Sequence, residues 1–392
     1  MLRGLVIVLM ALDHARDYLH NVAFAFDPLD PAQTTPLIFA TRWITHLCAP
    51  TFLLLAGVSA SLQLDKGKTK PALTRLLLTR GVWLIALELT IISFGWSFGF
   101  PYVVFLQVIW AIGWSMIVLA GLIWLPRAAV FAVGILVVAG HNLLDPATPQ
   151  QFGAAGVVWM ALHEGGPLFV GGKPVALFAY PILPWVGVIA LGYGLGQLFA
   201  APPERRDRML LALGIGMLVL FALLRSLTQF GEPVASTTIG PFGALQSWQD
   251  QPTTARTVMA FLNVQKYPPS LLFILATLGA IFTLWPLLPR LKGAPARVLA
   301  TFGAVPFLFY VVHVYVVHML AFLANAAAGN STAGLFNWMA NIFLAPQLFA
   351  GSGFAIAGVY AGWVAVLVIL YPLCARWAAL KRTRRDWWLS YL

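Results

Sequence analysis

The chain has 392 residues, 60% of them hydrophobic and only 9% charged. A soluble globule could not hide that much apolar side chain, so the composition excludes an ordinary soluble enzyme and indicates a polytopic membrane protein. The formal net charge of +11 would suggest nucleic acid in a soluble protein. Here the basic residues sit in short loops between apolar runs, so topology accounts for them and no nucleic-acid partner is expected.

About ten spans can be read, near residues 2–24, 36–63, 75–98, 102–124, 127–144, 176–199, 207–228, 267–289, 298–327 and 352–376. The expected fold is all-α: one transmembrane helix bundle over residues 1–392. The basic residues test this division. With the N-terminus inside, Arg3, the Lys66–Lys70 and Arg205–Arg208 clusters, Arg290, Lys292, Arg297 and the C-terminal cluster all fall on the cytoplasmic side. Only Lys173, Arg256 and Lys266 fall outside, so both termini are expected in the cytoplasm. The 34 Gly and 26 Pro are tolerated in membrane helices. In GYGLGQ, Gly192 and Gly196 suit close helix packing better than nucleotide binding, since no strand precedes them.

Cys48 and Cys374 lie in or beside predicted helices and are expected as free thiols. Ala23-Phe24-Ala25 looks like a signal-peptidase site, but Asp13, His14, Arg16 and Asp17 interrupt any signal core. The tail, residues 377–392, joins a basic cluster to Trp387 and Trp388 and is expected to rest on anionic lipid. Two longer outer loops, about 145–175 and 229–266, are expected to cap or line the outward face.

Ionisable groups inside apolar spans are costly and mark functional sites by default. On the first span, Arg3 and His14 are eleven residues apart, so they share one stripe about 16 Å apart along the axis. Asp17 shares that stripe, whereas Asp13 lies on a neighbouring face and can pair with Arg16 at i+3. A carboxylate such as Asp17 could orient His14 for acid–base work; the alternative is a packing cluster. On the second span, Arg42 and His46 stack at i and i+4, level with His14, and Pro50 can free a backbone carbonyl near them. On the ninth span, His313 and His318 are about 140° apart, so at most one can face a shared site. Each could equally be structural. No HExxH or Cys/His spacing marks a metal, and none is expected. Glu88 is another buried charge, read as a supporting group or a helix–helix hydrogen bond. Arg225 and Lys266 flank the second outer loop, and KYPPSLLF can start a helix.

RGLVIVLMALDHARDYL, ITHLCAPTFLLLAGVSASL, KYPPSLLF, FGAVPFLFYVVHVYVVH and YPLCARW resemble bacterial members of the heparan-alpha-glucosaminide N-acetyltransferase catalytic-domain family, relatives of the type-3 membrane acyltransferases. The resemblance covers nearly the whole chain. It implies an inner-membrane enzyme, with His14 as base or acyl-handling residue and Arg3 holding acyl-CoA as co-substrate, with no permanently bound cofactor. Arg3 and His14 match the Arg, ten residues, His spacing of the type-3 enzymes. The chain lacks the Trp-Asn-Gly beside the histidine of the animal enzyme, and Thr41-Arg42-Trp43 and His46 occupy that region. It also lacks the large luminal domain, and an upstream cytoplasmic stretch is compatible with its abrupt start.

The expected activity is acyl transfer, an acetyl group first, to a sugar or glycan on the periplasmic side. His14, Asp13, Asp17 and His46 are the expected catalytic group. Arg3, Arg16, Arg42, His313, His318 and Lys266 are expected to hold substrate. Expected partners are the lipid bilayer, acyl-CoA and the acceptor, and a homo-oligomer is compatible. The alternative is a transporter or flippase of a polar or lipid-linked sugar, which should show inverted repeats or broken midplane helices. A third reading is a non-enzymatic partner subunit whose charges form an ion network with no adjacent cavity.

Overall fold

The chain is described here by a computed structural model covering residues 1–227, 248–384, 386 and 389, mostly helical at 74%. The first helix, α1 (Leu2–Leu19), is buried along most of its length despite carrying Arg3, Asp13, Arg16 and Asp17. Thr35 caps the start of α2 (Pro36–Ile44), its hydroxyl accepting from Ile38 N at 3.3 Å. A 3-10 turn at Thr45–Leu47 then leads into α3 (Cys48–Asp65). Pro50 lacks the N–H that would bond the His46 carbonyl, so the chain tightens where His46 sits. Thr69 caps α4 (Lys70–Leu87), and a π-turn at Glu88–Ile92 joins it to α5 (Ser93–Ser97).

A short strand, β1 (Val104–Leu106), precedes α6 (Val108–Leu122), where a span from 102 was expected. Glu88 is fully buried, and its Oε2 accepts from Trp110 N at 3.0 Å, so this buried carboxyl caps α6. After α7 (Arg127–Gly140) and α8 (Gly156–Trp159) come β2 (Gly166–Val170) and β3 (Lys173–Phe178). β3 is the middle strand, parallel to β1 and antiparallel to β2. This small sheet is an addition to a chain that is otherwise the expected helical bundle. Its hairpin forms because the short apolar runs PLFV and VALF flank a Gly171-Gly172 turn whose two residues both have positive φ.

Next come α9 (Ile182–Gly194), α10 (Gly196–Ala200) and α11 (Pro203–Leu227). A Cβ on Gly57 would lie 2.0 Å from the Ile189 carbonyl oxygen, and one on Gly192 would lie 2.0 Å from that of Leu54. The α3–α9 contact is therefore backbone against backbone, as the small-residue spacing implied. α12 (Thr254–Leu262) and α13 (Leu271–Leu284) follow, the latter capped by Ser270 after KYPP. The expected span 298–327 is two helices, α14 (Gly293–Ala304) and α15 (Pro306–Ala328), because Pro306 holds Val305 out of helical geometry at φ −132, ψ 51. α16 (Trp338–Leu344) precedes α17 (Ile356–Thr383), which continues the last span into the expected tail. Trp387 and Trp388, and residues 229–247 of the second outer loop, lie outside the described residues.

Among the described residues, seven helical segments are long and apolar enough to cross a membrane, with Val108–Leu122 and Ile182–Gly194 apolar but shorter. Leu136, Val219 and Val368 are among the large apolar residues these helices expose, as suits lipid contact. Inside this wall, α1 packs against α3, α14, α15 and α17. Its polar stripe is thereby turned inward.

Candidate active site

His14 sits on α1, is 7% exposed, and meets α15 and α5. Its Nδ1 is 2.6 Å from Nε2 of His313, and Trp96 packs edge-on against its ring. The partner fixes the proton. His313 Nδ1 faces the carbonyls of Tyr310 at 2.6 Å and Phe309 at 3.1 Å, which only accept, so Nδ1 carries the hydrogen. Neutral His313 then presents a bare Nε2, which accepts from His14 Nδ1–H. His14 Nε2 is left with its lone pair, the form a general base needs.

Neither expected carboxylate orients His14, because both are engaged elsewhere. Asp13 accepts from Arg42 Nη1 at 2.6 Å to each oxygen, and Arg16 lies farther off at 3.5 Å. Arg16 instead donates to Asp17. His318 is also corrected. Its Nδ1 lies 3.0 Å from the Gly95 carbonyl and its Nε2 2.8 Å from that of Leu335, and its ring stacks on Phe98, so it ties α15 to its neighbours. The 140° separation already allowed only one of the two histidines at the site. Arg225, at the far edge of the outer loop, binds the carbonyls of Ala260, Phe261 and Asn263.

A cavity of about 270 Å³ opens beside His14, lined by Asp13, Arg16, Asp17, Arg42, His46 and Lys266. Seven expected residues from α1, α2, the turn that follows it and the segment before α13 thus share one space. His46 is 2% exposed, and among the described residues its Nε2 has no hydrogen-bond partner. Lys266 Nζ stands 5.0 Å from the centre of the Tyr267 ring. A second cavity, about 370 Å³, lies at the other end of α1, lined by Arg3, Ser59, Gln63, Arg80, Tyr310 and Lys381. Arg3 Nη2 donates to Ser59 Oγ at 2.6 Å.

Between them lies a space of about 30 Å³. It shares Asp13, His14, Gln107, Tyr180 and Lys266 with the first cavity, and Phe52 and Val108 with the second. That is room for about one water. The three spaces follow α1, with Phe52 and Val108 at the narrow point.

Sequence reading missed Gln107, Tyr180, Tyr267 and Trp96, all of which line the His14 cavity. Gln107 is 6% exposed, and among the described residues its Nε2 has no hydrogen-bond partner. A glutamine inside VVFLQVIW was the same signal that marked Glu88. The aromatic residues carry no such signal, since aromatics line any core.

Membrane-length helices around a polar, histidine-bearing cavity define a membrane protein with a buried polar site, and comparison with known families gives its class as acetyltransferase-like. Residues 1–231 match the family described as Heparan-alpha-glucosaminide N-acetyltransferase, catalytic, and the chain belongs to that family. A comparison with curated proteins finds no match. The matched segment holds Arg3, His14, Arg42, His46 and Gln107, and Lys266 and His313 lie beyond it.

Proposed function

We propose that this chain is an integral inner-membrane acyltransferase that moves an acetyl group from acetyl-CoA to a hydroxyl or amine of a sugar. The supporting observation is the pair of cavities at the two ends of α1, one lined by Arg3, Arg80 and Lys381 and one by His14, with a small space between them that shares lining residues with both. The Arg3 end faces the cytoplasm. Arg3, Arg80 and Lys381 hold the nucleotide phosphates there, a task suited to guanidinium forks. The neck is too narrow for the nucleotide, and it widens around Phe52 and Val108 to let the acyl-pantetheine arm alone reach His14, about 16 Å along the helix.

The sugar enters from the periplasmic side among Lys266, Tyr267 and the Arg16–Asp17 pair. His14 Nε2 takes the proton from its nucleophile, which attacks the thioester carbonyl. The Gln107 amide and Lys266 stabilise the oxyanion. The carbon–sulfur bond breaks, and His14 passes the proton to the departing thiolate, releasing free CoA and restoring the Nε2 lone pair. His46 and Arg42 position the acceptor. An acyl-His14 intermediate would use the same lone pair.

Purified chain incubated with acetyl-CoA and candidate sugars tests this reading. Thioester consumption that depends on the sugar, and on His14, supports it. Sugar movement across vesicles with no thioester requirement would replace it with the transporter reading.

A further inference from the structure

Three side chains with metal-binding atoms meet beside the start of α13 and outside the His14 cavity. His141 follows α7 in a 3-10 turn, Asp145 comes four residues later, and His163 lies in the π-turn after α8. One ligand atom from each lies within 4.8 Å of the others, and all three residues are buried. His163 Nε2 is 2.9 Å from Asp145 Oδ1. The other Asp145 oxygen accepts from Asn142 Nδ2 at 3.0 Å. Asn142 Oδ1 in turn accepts from Leu271 N at 3.1 Å, so the carboxylate is held in place from behind.

A plain hydrogen-bonded His163–Asp145 pair explains two of the three residues. It leaves His141 unexplained. That imidazole is 3% exposed and feels the Pro269 carbonyl, yet among the described residues neither ring nitrogen completes a hydrogen bond. Buried polar atoms in native folds almost always have a partner. Two imidazoles and one carboxylate also form a donor set that divalent transition ions favour.

We propose that His141, Asp145 and His163 bind a divalent transition-metal ion, zinc by preference, with water in the fourth position. Ligand atoms around tetrahedral zinc are roughly 3.3 Å apart, given bonds of about 2.0–2.1 Å. The His163 and Asp145 atoms, 2.9 Å apart, are close to that spacing, and all three ligand atoms already lie within 4.8 Å of one another. The ion is structural. It pins the 141–145 turn and the 160–164 turn to the start of α13, just after Lys266 and Tyr267. It therefore stiffens the rim of the His14 cavity without touching substrate.

The test uses the full chain in detergent, purified without a histidine tag and stripped with a chelator. Titration with Co²⁺ is expected to give visible bands of a four- or five-coordinate site at one ion per chain, displaced by Zn²⁺, and zinc is expected to raise Tm. His141→Ala and Asp145→Asn should each weaken binding at least tenfold. If His141→Ala does not fold, His141→Gln keeps the bulk and polarity of the side chain and should lose the cobalt bands equally. Only the spectrum of hydrated Co²⁺ with the wild-type chain, or wild-type affinity in the His141 variants, would overturn the proposal.

Discussion

At the scale of single residues the account turns on the direction of one imidazole. His14→Ala is expected to lower kcat by about 10²–10⁴-fold, the usual range for a positioned general base. His313→Ala leaves His14 Nδ1–H without its acceptor, and a buried unsatisfied donor costs about 1–3 kcal/mol. It should lower kcat roughly tenfold or more, shift the pH–rate profile, and leave KM for acetyl-CoA unchanged. His313→Gln keeps an acceptor oxygen and should recover part of the loss. Arg3→Gln should do the opposite, raising KM for acetyl-CoA with little change in kcat, and should not affect a donor truncated to acetyl-pantetheine. Steady-state kinetics on the purified variants separates these outcomes. Much of this was legible in the sequence. Charged and titratable groups in apolar spans stand out, and helical spacing placed Arg3, His14 and Asp17 on one stripe. What spacing could not give was the partner, because His14 and His313 meet across 299 positions of chain.

Between elements, two contacts carry the site. Asp13 and Arg42 join α1 to α2 by a pair only 13–14% exposed. Asp13→Asn strands the guanidinium and should destabilise the protein by about 2–4 kcal/mol, seen as a lower Tm in detergent. The double variant Asp13→Asn/Arg42→Gln should be less destabilised than the two single changes summed, the signature of a direct pair. The α3–α9 contact tolerates no side chain at Gly192. Gly192→Leu must push the helices apart, and a loss of at least about 1–3 kcal/mol is expected, read by thermal unfolding. The sequence showed this contact because small residues four apart are local. It did not show the sheet, whose strands come from positions 104 and 173 and read as the flanks of apolar spans. Nor did it show the break at Val305, where a single proline divides one apolar run.

For the molecule as a whole, the arrangement implies sidedness. Lys66 and Lys173 belong to opposite ends of the bundle in the proposed topology, so single-cysteine variants at these positions should react differently with an impermeant maleimide on intact cells. Lys173→Cys should label from outside, and Lys66→Cys only after permeabilisation. The expected orientation rests on the charge pattern, since basic residues gather in one set of loops. The cavities themselves were not readable, because their walls combine residues from α1, α3, α6, α15 and the segment before α13. The most direct test separates donor from acceptor across a sealed membrane. In vesicles of known orientation, acetyl-CoA supplied only at the Arg3 side and sugar only at the Lys266 side should give acetylated sugar, and His14→Ala should abolish it. Transfer that occurs only when both substrates share one compartment would contradict the account.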